Sequence, residues 1–252
     1  MFQNLKVSVV IPTLNEAKGI RETIKNIPSV VDEIVVVDAD STDGTREIAT
    51  QADPRTKVIL EPRRGYGRAF RTGFEHCTGD LIATADGDGT YPIERFEEIA
   101  AHLLEKNLEF VSCARFPLKD SSAMHFQNYV GNQFFTVAAS TLWFHRFNDI
   151  LSGMWVFRKS CLSKLHLLSD SWNFSEEIKL QAYMKLGKKF AEFHIPYRER
   201  LGETKLSPWK VGLQNLVYLF AMRTGSVALI QEIVKRPKRS EAARSSEGSV
   251  SP

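Results

Sequence analysis

Two carboxylates in the triplet Asp86-Gly87-Asp88 close the apolar run Leu81-Ile82-Ala83-Thr84-Ala85 and are followed at once by Gly89-Thr90-Tyr91-Pro92. Acidic oxygens at this spacing suit a hard divalent cation, Mg²⁺ or Mn²⁺, of the kind that clamps a substrate's phosphates. The run itself reads as a buried strand, and ligands of open α/β sheets collect outside the carboxyl ends of strands. Alone, the triplet is also ordinary turn chemistry. Two further strand tips are polar in the same way: Pro12-Thr13-Leu14-Asn15-Glu16 follows Val7–Ile11, and Asp38-Ala39-Asp40-Ser41-Thr42-Asp43-Gly44 follows Glu33–Val37. Three such tips on one sheet edge would line a single acidic cleft.

The elements that must position these tips alternate from the start. Strands are predicted at Val7–Ile11, Glu33–Val37, Lys57–Glu61, Leu81–Ala85, Glu109–Ala114, Gly153–Phe157 and Lys189–Tyr197. Helices are predicted at Glu16–Ile27, with Asn15 as N-cap, up to about Gln51, from Pro92 through Leu104, and at Ser175–Leu186. Apolar strands separated by helices imply an α/β fold, a mostly parallel sheet with helices on both faces. From Phe116 to Phe147 the periodicity fades into an aromatic, Gln/Asn-rich stretch that reads as a long loop with some helix.

Composition narrows the class of function. The 252 residues carry a formal charge of +3, too small to argue for nucleic acid. Cys77, Cys113 and Cys161 are far apart and form no CxxC pair, which indicates neither a disulfide framework nor a zinc site and fits a reducing, cytoplasmic setting. Leu5 to Ile11 is too short an apolar run for a signal peptide. His125, His145 and His194 show no metal-ligand spacing, and Phe134, Phe135, Trp143, Phe144 and Phe147 read as packing, with an apolar lipid groove as the other reading. Arg63 and Arg64 beside Gly65-Tyr66-Gly67 could face a phosphate, whereas Arg68 and Arg71 read as a solvated helix face.

The segments VSVVIPTLNE, VVVDADSTDGT, GYGRAFRTGF and ATADGDGTYP resemble the successive N-terminal motifs of family 2 glycosyltransferases with the Rossmann-like GT-A fold. Asp149-Ile150-Leu151-Ser152-Gly153 and the run Tyr197 to Leu206 are similar to dolichol-phosphate mannose synthases and other polyprenyl-phosphate glycosyltransferases. The resemblance implies that Pro12, Leu14 and Glu16 contact a donor nucleotide and that Asp38 and Asp40 hold base and ribose. It implies that Asp86, Gly87 and Asp88 form the metal-holding motif, that Arg115 lies by an acceptor phosphate, and that Asp149 lies near the active site. The chain departs from the family at Ala39, where relatives carry Asp, and at Gln127 and Asn128, where a second arginine is common.

Transfer to a hydroxyl requires a general base, whereas a phosphate monoester is already anionic near neutral pH and asks for cations. Arg198, Arg200 and Lys205 suit the second case. Glu176 and Glu177 are base candidates for the first, or else favourable charges at a helix start. The reading is a metal-dependent inverting transfer of a hexose, from a donor such as GDP-mannose or a UDP-hexose, to a polyprenyl (dolichyl-type) phosphate. A hydroxyl acceptor, a nucleotidyltransferase and a non-catalytic nucleotide-sugar-binding subunit stay open. Residues 1–206 are read as the catalytic domain, 207–234 as an amphipathic helical appendage and 235–252 as a disordered tail. Arg223 and Glu232 argue against a membrane span. Trp209, Lys210 and the basic residues from Lys235 to Arg239 suit peripheral association at the cytosolic face of a membrane, packing on the domain or on a partner being the alternative.

Overall fold

A computed structural model describes residues 1–202 and 208–226. Seven strands form one sheet in the order β3-β2-β1-β4-β6-β5-β7. They are β1 (Val7–Thr13), β2 (Glu33–Asp38), β3 (Thr56–Leu60), β4 (Leu81–Thr84), β5 (Phe110–Ala114), β6 (Trp155–Arg158) and β7 (Phe190–His194). All run parallel except β6, which lies antiparallel between β4 and β5.

Alternation along β1 sorts the core into two faces, because successive side chains of a strand point to opposite sides. Val7, Val9 and Ile11 meet Ile20 and Ile24 of α1 (Ile20–Lys25), Ala49 of α2 (Thr45–Ala52), and Phe96, Ile99 and Leu103 of α4 (Phe96–Glu105). On the other face Val10 joins Phe70 and Phe74 of α3 (Tyr66–His76) and Phe174 and Ile178 of α6 (Phe174–Leu186). Each strand is therefore apolar on both sides, as a doubly covered sheet demands.

Two predicted elements differ. The first helix starts at Ile20 rather than Glu16, because Asn15 takes a left-handed φ of 52° and the Glu16 N–H is spent on Thr45 Oγ1. Asn15 is therefore a turn residue of the β1 tip. The stretch 116–147 holds an eighteen-residue helix, α5 (Phe126–Trp143). Its apolar residues point both inward, at Phe135 and Ala139, and outward, at Phe126, Phe134 and Val137, which erases the stripe that would have announced it. Phe135, Ala139, Phe147, Ile150 and Leu180 form a third cluster with Leu219 of the last helix, α7 (Pro208–Thr224). That helix packs against α5 and the residues of this cluster.

Candidate active site

The order β2-β1-β4 places the switch in strand direction of winding between β1 and β4, where open α/β sheets bind ligands. The tips of β1, β2, β4, β5 and β7 and the start of antiparallel β6 all reach this edge.

At the β1 and β2 tips, Asp38 is fully buried and its carboxylate accepts from Thr13 Oγ1 at 2.9 Å, from the Ser41 N–H at 2.8 Å and from Ser41 Oγ. Asp38 thus ties two tips together. Asp40 differs: it has a left-handed φ of 64° and a side chain 62% exposed, with Arg46 at 3.9 Å. Ala39 is buried, and its N–H donates to Thr13 O. Pro12 and Leu14 are partly buried on the adjoining tip.

At the β4 tip the two aspartates have separate partners. Asp86 Oδ1 accepts from the Tyr66 hydroxyl at 3.1 Å. Burial, and then the like charge of Asp88, push the Asp86 carboxyl up to about 7. Asp88 is buried, and its Oδ1 accepts from the Thr90 hydroxyl at 2.7 Å and the Thr90 N–H at 3.1 Å. Its Oδ2 accepts from Arg200 Nη1 at 2.6 Å, while Arg200 Nη2 reaches Glu16 Oε1 at 2.5 Å. A guanidinium therefore bridges the β1 and β4 tips. The buried Gly87 lies close to the β1 tip, an added Cβ standing 3.1 Å from Thr13 Cγ2.

The β5 tip holds a different arrangement. Arg115 donates through Nε to Asp149 Oδ2 at 2.6 Å and through Nη2 to Asp149 Oδ1 at 2.9 Å and Asn132 Oδ1 at 2.8 Å. Tyr197, just past β7, lies 5.1 Å beneath the guanidinium, an attractive cation–π placement. Asp149 is fully buried, and although burial alone would raise it, Arg115 holds its carboxyl below the usual range. Lys179 of α6 is also fully buried and donates to Asp149 O at 2.9 Å; burial drops its ammonium to about 7.

Several sequence readings change here. The Gly65-Tyr66-Gly67 turn is already filled by the chain itself: the Gly67 N–H donates to Ser171 O and the Arg68 N–H to Asp170 O. Arg68 and Arg71 are not a solvated face, since both pair with Asp170, at 2.6 and 2.9 Å. Arg63 pairs with Glu61, and Arg198 with Glu94, so Arg200 alone of the described basic segment reaches the aspartates. Lys205 lies outside the described residues. Glu176 and Glu177 are both buried; Glu177 accepts from the Leu168 and Ser169 N–H groups and the Tyr218 hydroxyl, while burial raises Glu176 well above the usual range. Tyr66, Thr90, Asn132 and Tyr197, to which the sequence assigned no role of their own, are also brought to the site. The aromatic between two glycines was the available signal for Tyr66.

Around two carboxylates a cation would complete its shell with waters and phosphate oxygens, as Mg²⁺ commonly does. Among the described residues no group of three or more His, Cys, Asp or Glu gathers as a metal cage. The hard-oxygen donor set and the guanidinium standing at Asp88 as a surrogate positive charge both fit such a site.

Comparison with known proteins gives three consistent results. The profile described as Glycosyl transferase family 2 matches residues 8–165. A dolichyl-phosphate hexose transferase of Haloferax volcanii is 33% identical over 209 residues, covering 82% of this chain and 89% of that protein. A low-salt glycan biosynthesis hexosyltransferase of the same organism is 28% identical over 228 residues, covering 87% of this chain and 54% of its own, so the chain spans about half of that relative. Among solved structures, glucosyl-3-phosphoglycerate synthase from Mycobacterium tuberculosis, in complex with Mn²⁺, UDP-glucose and phosphoglyceric acid, superposes with a TM-score of 0.68. It is 20% identical and covers 88% of this chain and 80% of that one.

Proposed function

The chain belongs to glycosyl transferase family 2 and is a glycosyltransferase; from that premise we propose that it moves a hexose from a nucleotide-diphosphate sugar to a polyprenyl phosphate, with inversion. One observation carries the choice of acceptor. Arg200, its side chain 29% exposed, stands at Asp88, while the two base candidates of the sequence, Glu176 and Glu177, are closed off from solvent, and Arg115 lies buried at the same edge. A hydroxyl nucleophile needs an accessible base; an anionic phosphate needs positive charge.

In this reading Asp40, Leu14 and Glu16 border the nucleotide, and Asp38 holds their loops in place rather than touching the donor. Asp86 and Asp88 would hold Mg²⁺ or Mn²⁺, which when bound supplies Lewis-acid neutralisation of the departing diphosphate. Arg200, which pairs with Asp88, would be at hand to donate to phosphate oxygens of the substrate. Arg115, fixed by Asp149 and Asn132 and charge-matched by Asp149, would set the polar wall beside the acceptor, leaving Arg200 as the cation that meets its phosphate. The Mn²⁺ of the mycobacterial synthase and the dolichyl-phosphate named for the Haloferax relative support this reading.

A lipid acceptor implies work at a membrane surface, read here as its cytosolic face. Among the described residues no helix is long and apolar enough to cross a membrane. Leu213 and Phe220 of α7 and Phe126, Phe134 and Val137 of α5 are exposed apolar side chains suited to a peripheral contact. Flotation with anionic vesicles checks this: salt-sensitive binding that is lost on deleting residues 208–252 is expected, and unchanged binding refutes it.

The reaction is tested by incubating the protein with a panel of nucleotide sugars, polyprenyl phosphate and Mn²⁺ and identifying the nucleotide released. A nucleoside diphosphate whose release depends on the lipid phosphate is expected. Release of pyrophosphate, or transfer to soluble glycans instead, overturns the reading.

A further inference from the structure

The carboxylates of the β4 tip share a construction. Each has one oxygen taken by a hydroxyl of the chain, Thr90 on Asp88 and Tyr66 on Asp86. Thr90 is a near neighbour in sequence. Tyr66 arrives from the first turn of α3, twenty residues upstream, and the fold makes several concessions to bring it there.

The concessions surround the ring. Trp172 stacks on it at 4.8 Å with planes 20° apart, and Phe70 meets it edge-on at 4.9 Å. The segment that carries Trp172 lies against α3 so tightly that a Cβ at Gly65 would stand 2.1 Å from Asp170 O, and one at Gly67 2.4 Å from Ser169 O. Arg68 and Arg71 then pin Asp170. On the far side, a Cβ at Gly153 would lie 2.2 Å from the Tyr66 hydroxyl oxygen. Gly153 is itself fixed, its N–H donating to the Tyr91 hydroxyl at 2.7 Å and its carbonyl accepting from Thr84 Oγ1 at 2.9 Å. The glycines on either side of Tyr66 thus let α3 close on the 169–171 backbone, and Gly153, from a distant part of the chain, leaves the space that the phenol oxygen occupies.

We propose that Tyr66 is a positioning residue for the cation site: its hydroxyl fixes the rotation of the Asp86 carboxylate, so that the other oxygen is presented beside Asp88. A carboxylate free to rotate about its last bond pays rotamer entropy when it ligates; one already hydrogen-bonded through a single oxygen does not. Asp86 and Asp88 would then act as a matched pair of one-oxygen ligands, each held by a hydroxyl. The inference rests on the metal reading of the preceding subsection and adds a role to a residue outside the acidic motif. It also gives the segment 168–173 a task, since Trp172 sets the tilt of the ring that sets the carboxylate.

The experiment titrates Mn²⁺ alone into the full-length protein and follows free Mn²⁺ by electron paramagnetic resonance, for the wild type, Tyr66→Phe, Gly153→Ala and Asp88→Asn. Loss of an outer-shell partner costs about 10- to 100-fold in metal affinity. Tyr66→Phe, which keeps the ring and its packing, should raise the Mn²⁺ dissociation constant about tenfold, at the low end of that range. The KM for Mn²⁺ should rise with it, while kcat at saturating Mn²⁺ stays close to wild type. Gly153→Ala, which crowds the hydroxyl, should shift the titration in the same direction. Binding by Tyr66→Phe within twofold of wild type, while Asp88→Asn loses Mn²⁺, overturns the positioning role alone. Equal Mn²⁺ uptake by wild type and Asp88→Asn overturns the metal reading beneath it.

Discussion

The Asp86–Asp88 tip and the Arg115–Asp149 cluster are separated only by β6, yet they treat charge in opposite ways. At the first, Asp86 and Asp88 lie two residues apart, each accepting from a hydroxyl, and Asp88 shares the Arg200 guanidinium with Glu16. At the second, Asp149 and Glu192 are matched by Arg115 and Lys179, with Asp149, Arg115 and Lys179 buried and Glu192 partly so. Like carboxylates packed together raise one another's proton affinity and store repulsion that a bound cation relieves. A balanced buried cluster stores none, but it falls hard when one member is removed. The difference separates a surface kept ready for a ligand from a frame that holds it in place.

The frame is the place to look for the largest loss. Arg115→Met should destabilise the fold by about 3–5 kcal/mol, because it leaves Asp149 buried without its partner. Urea denaturation measures this, and a double-mutant cycle with Asp149→Asn should recover part of it; additive losses would break the comparison. Asp88→Ala should do the reverse, leaving the urea midpoint close to wild type while turnover falls to about 1%, or about 2.7 kcal/mol of barrier. Retention of more than a few per cent of activity removes the anchor role of Asp88. Gly67→Ala should cost about 1–3 kcal/mol by overpacking, since its Cβ meets Ser169 O and Phe174. A melting temperature equal to wild type would show that the segment above α3 can retreat.

The smallest effect is expected outside both regions, at Glu61, whose buried carboxyl the exposed Arg63 guanidinium holds at about 2, against an unperturbed 4.5. A lowered carboxylate pKa adds stability above its unfolded value and loses it as pH falls towards the folded one. Glu61→Gln should therefore be less stable at pH 7, by about 1 kcal/mol or less for a pair open to solvent. The gap to wild type should close between pH 4.5 and about 2 in acid denaturation curves. A gap constant with pH would assign the effect to the hydrogen bond from the Thr72 hydroxyl, made differently by an amide, rather than to charge.

What the sequence made legible follows the range of the interactions involved. The strand tips could be read because apolar runs and their polar ends are contiguous, and the tips of β1, β2 and β4 do meet on one edge. Arg115 was legible as a residue but not as a partner, since Asp149 lies 34 positions on and nothing local announces the pair. The same holds for Arg68 and Asp170, 102 positions apart, where two arginines on a helix looked like a solvated face. The glycines around Tyr66 promised a close approach and delivered one, but the body approaching is the segment 169–171 rather than a phosphate. Helix α5 stayed hidden because residues facing out of the fold are as apolar as those facing in.

Among the described strands β6 alone runs antiparallel, and this has a consequence for synthesis. β6 fills the gap between β4 and β5, pairing Ile82 with Phe157 and Val111 with Val156, so until residue 158 has left the ribosome the sheet is limited to β3-β2-β1-β4 and β5 has no partner. During that interval β4 presents Leu81, Ile82 and Ala83 on an unpaired edge, the kind of surface that recruits stray strands. Vectorial growth of this chain therefore passes through a sticky half-sheet whose cure is its own four-residue β6. Slow translation between residues 84 and 158 would prolong that exposure, and a ribosome-bound chaperone would be needed most in that window.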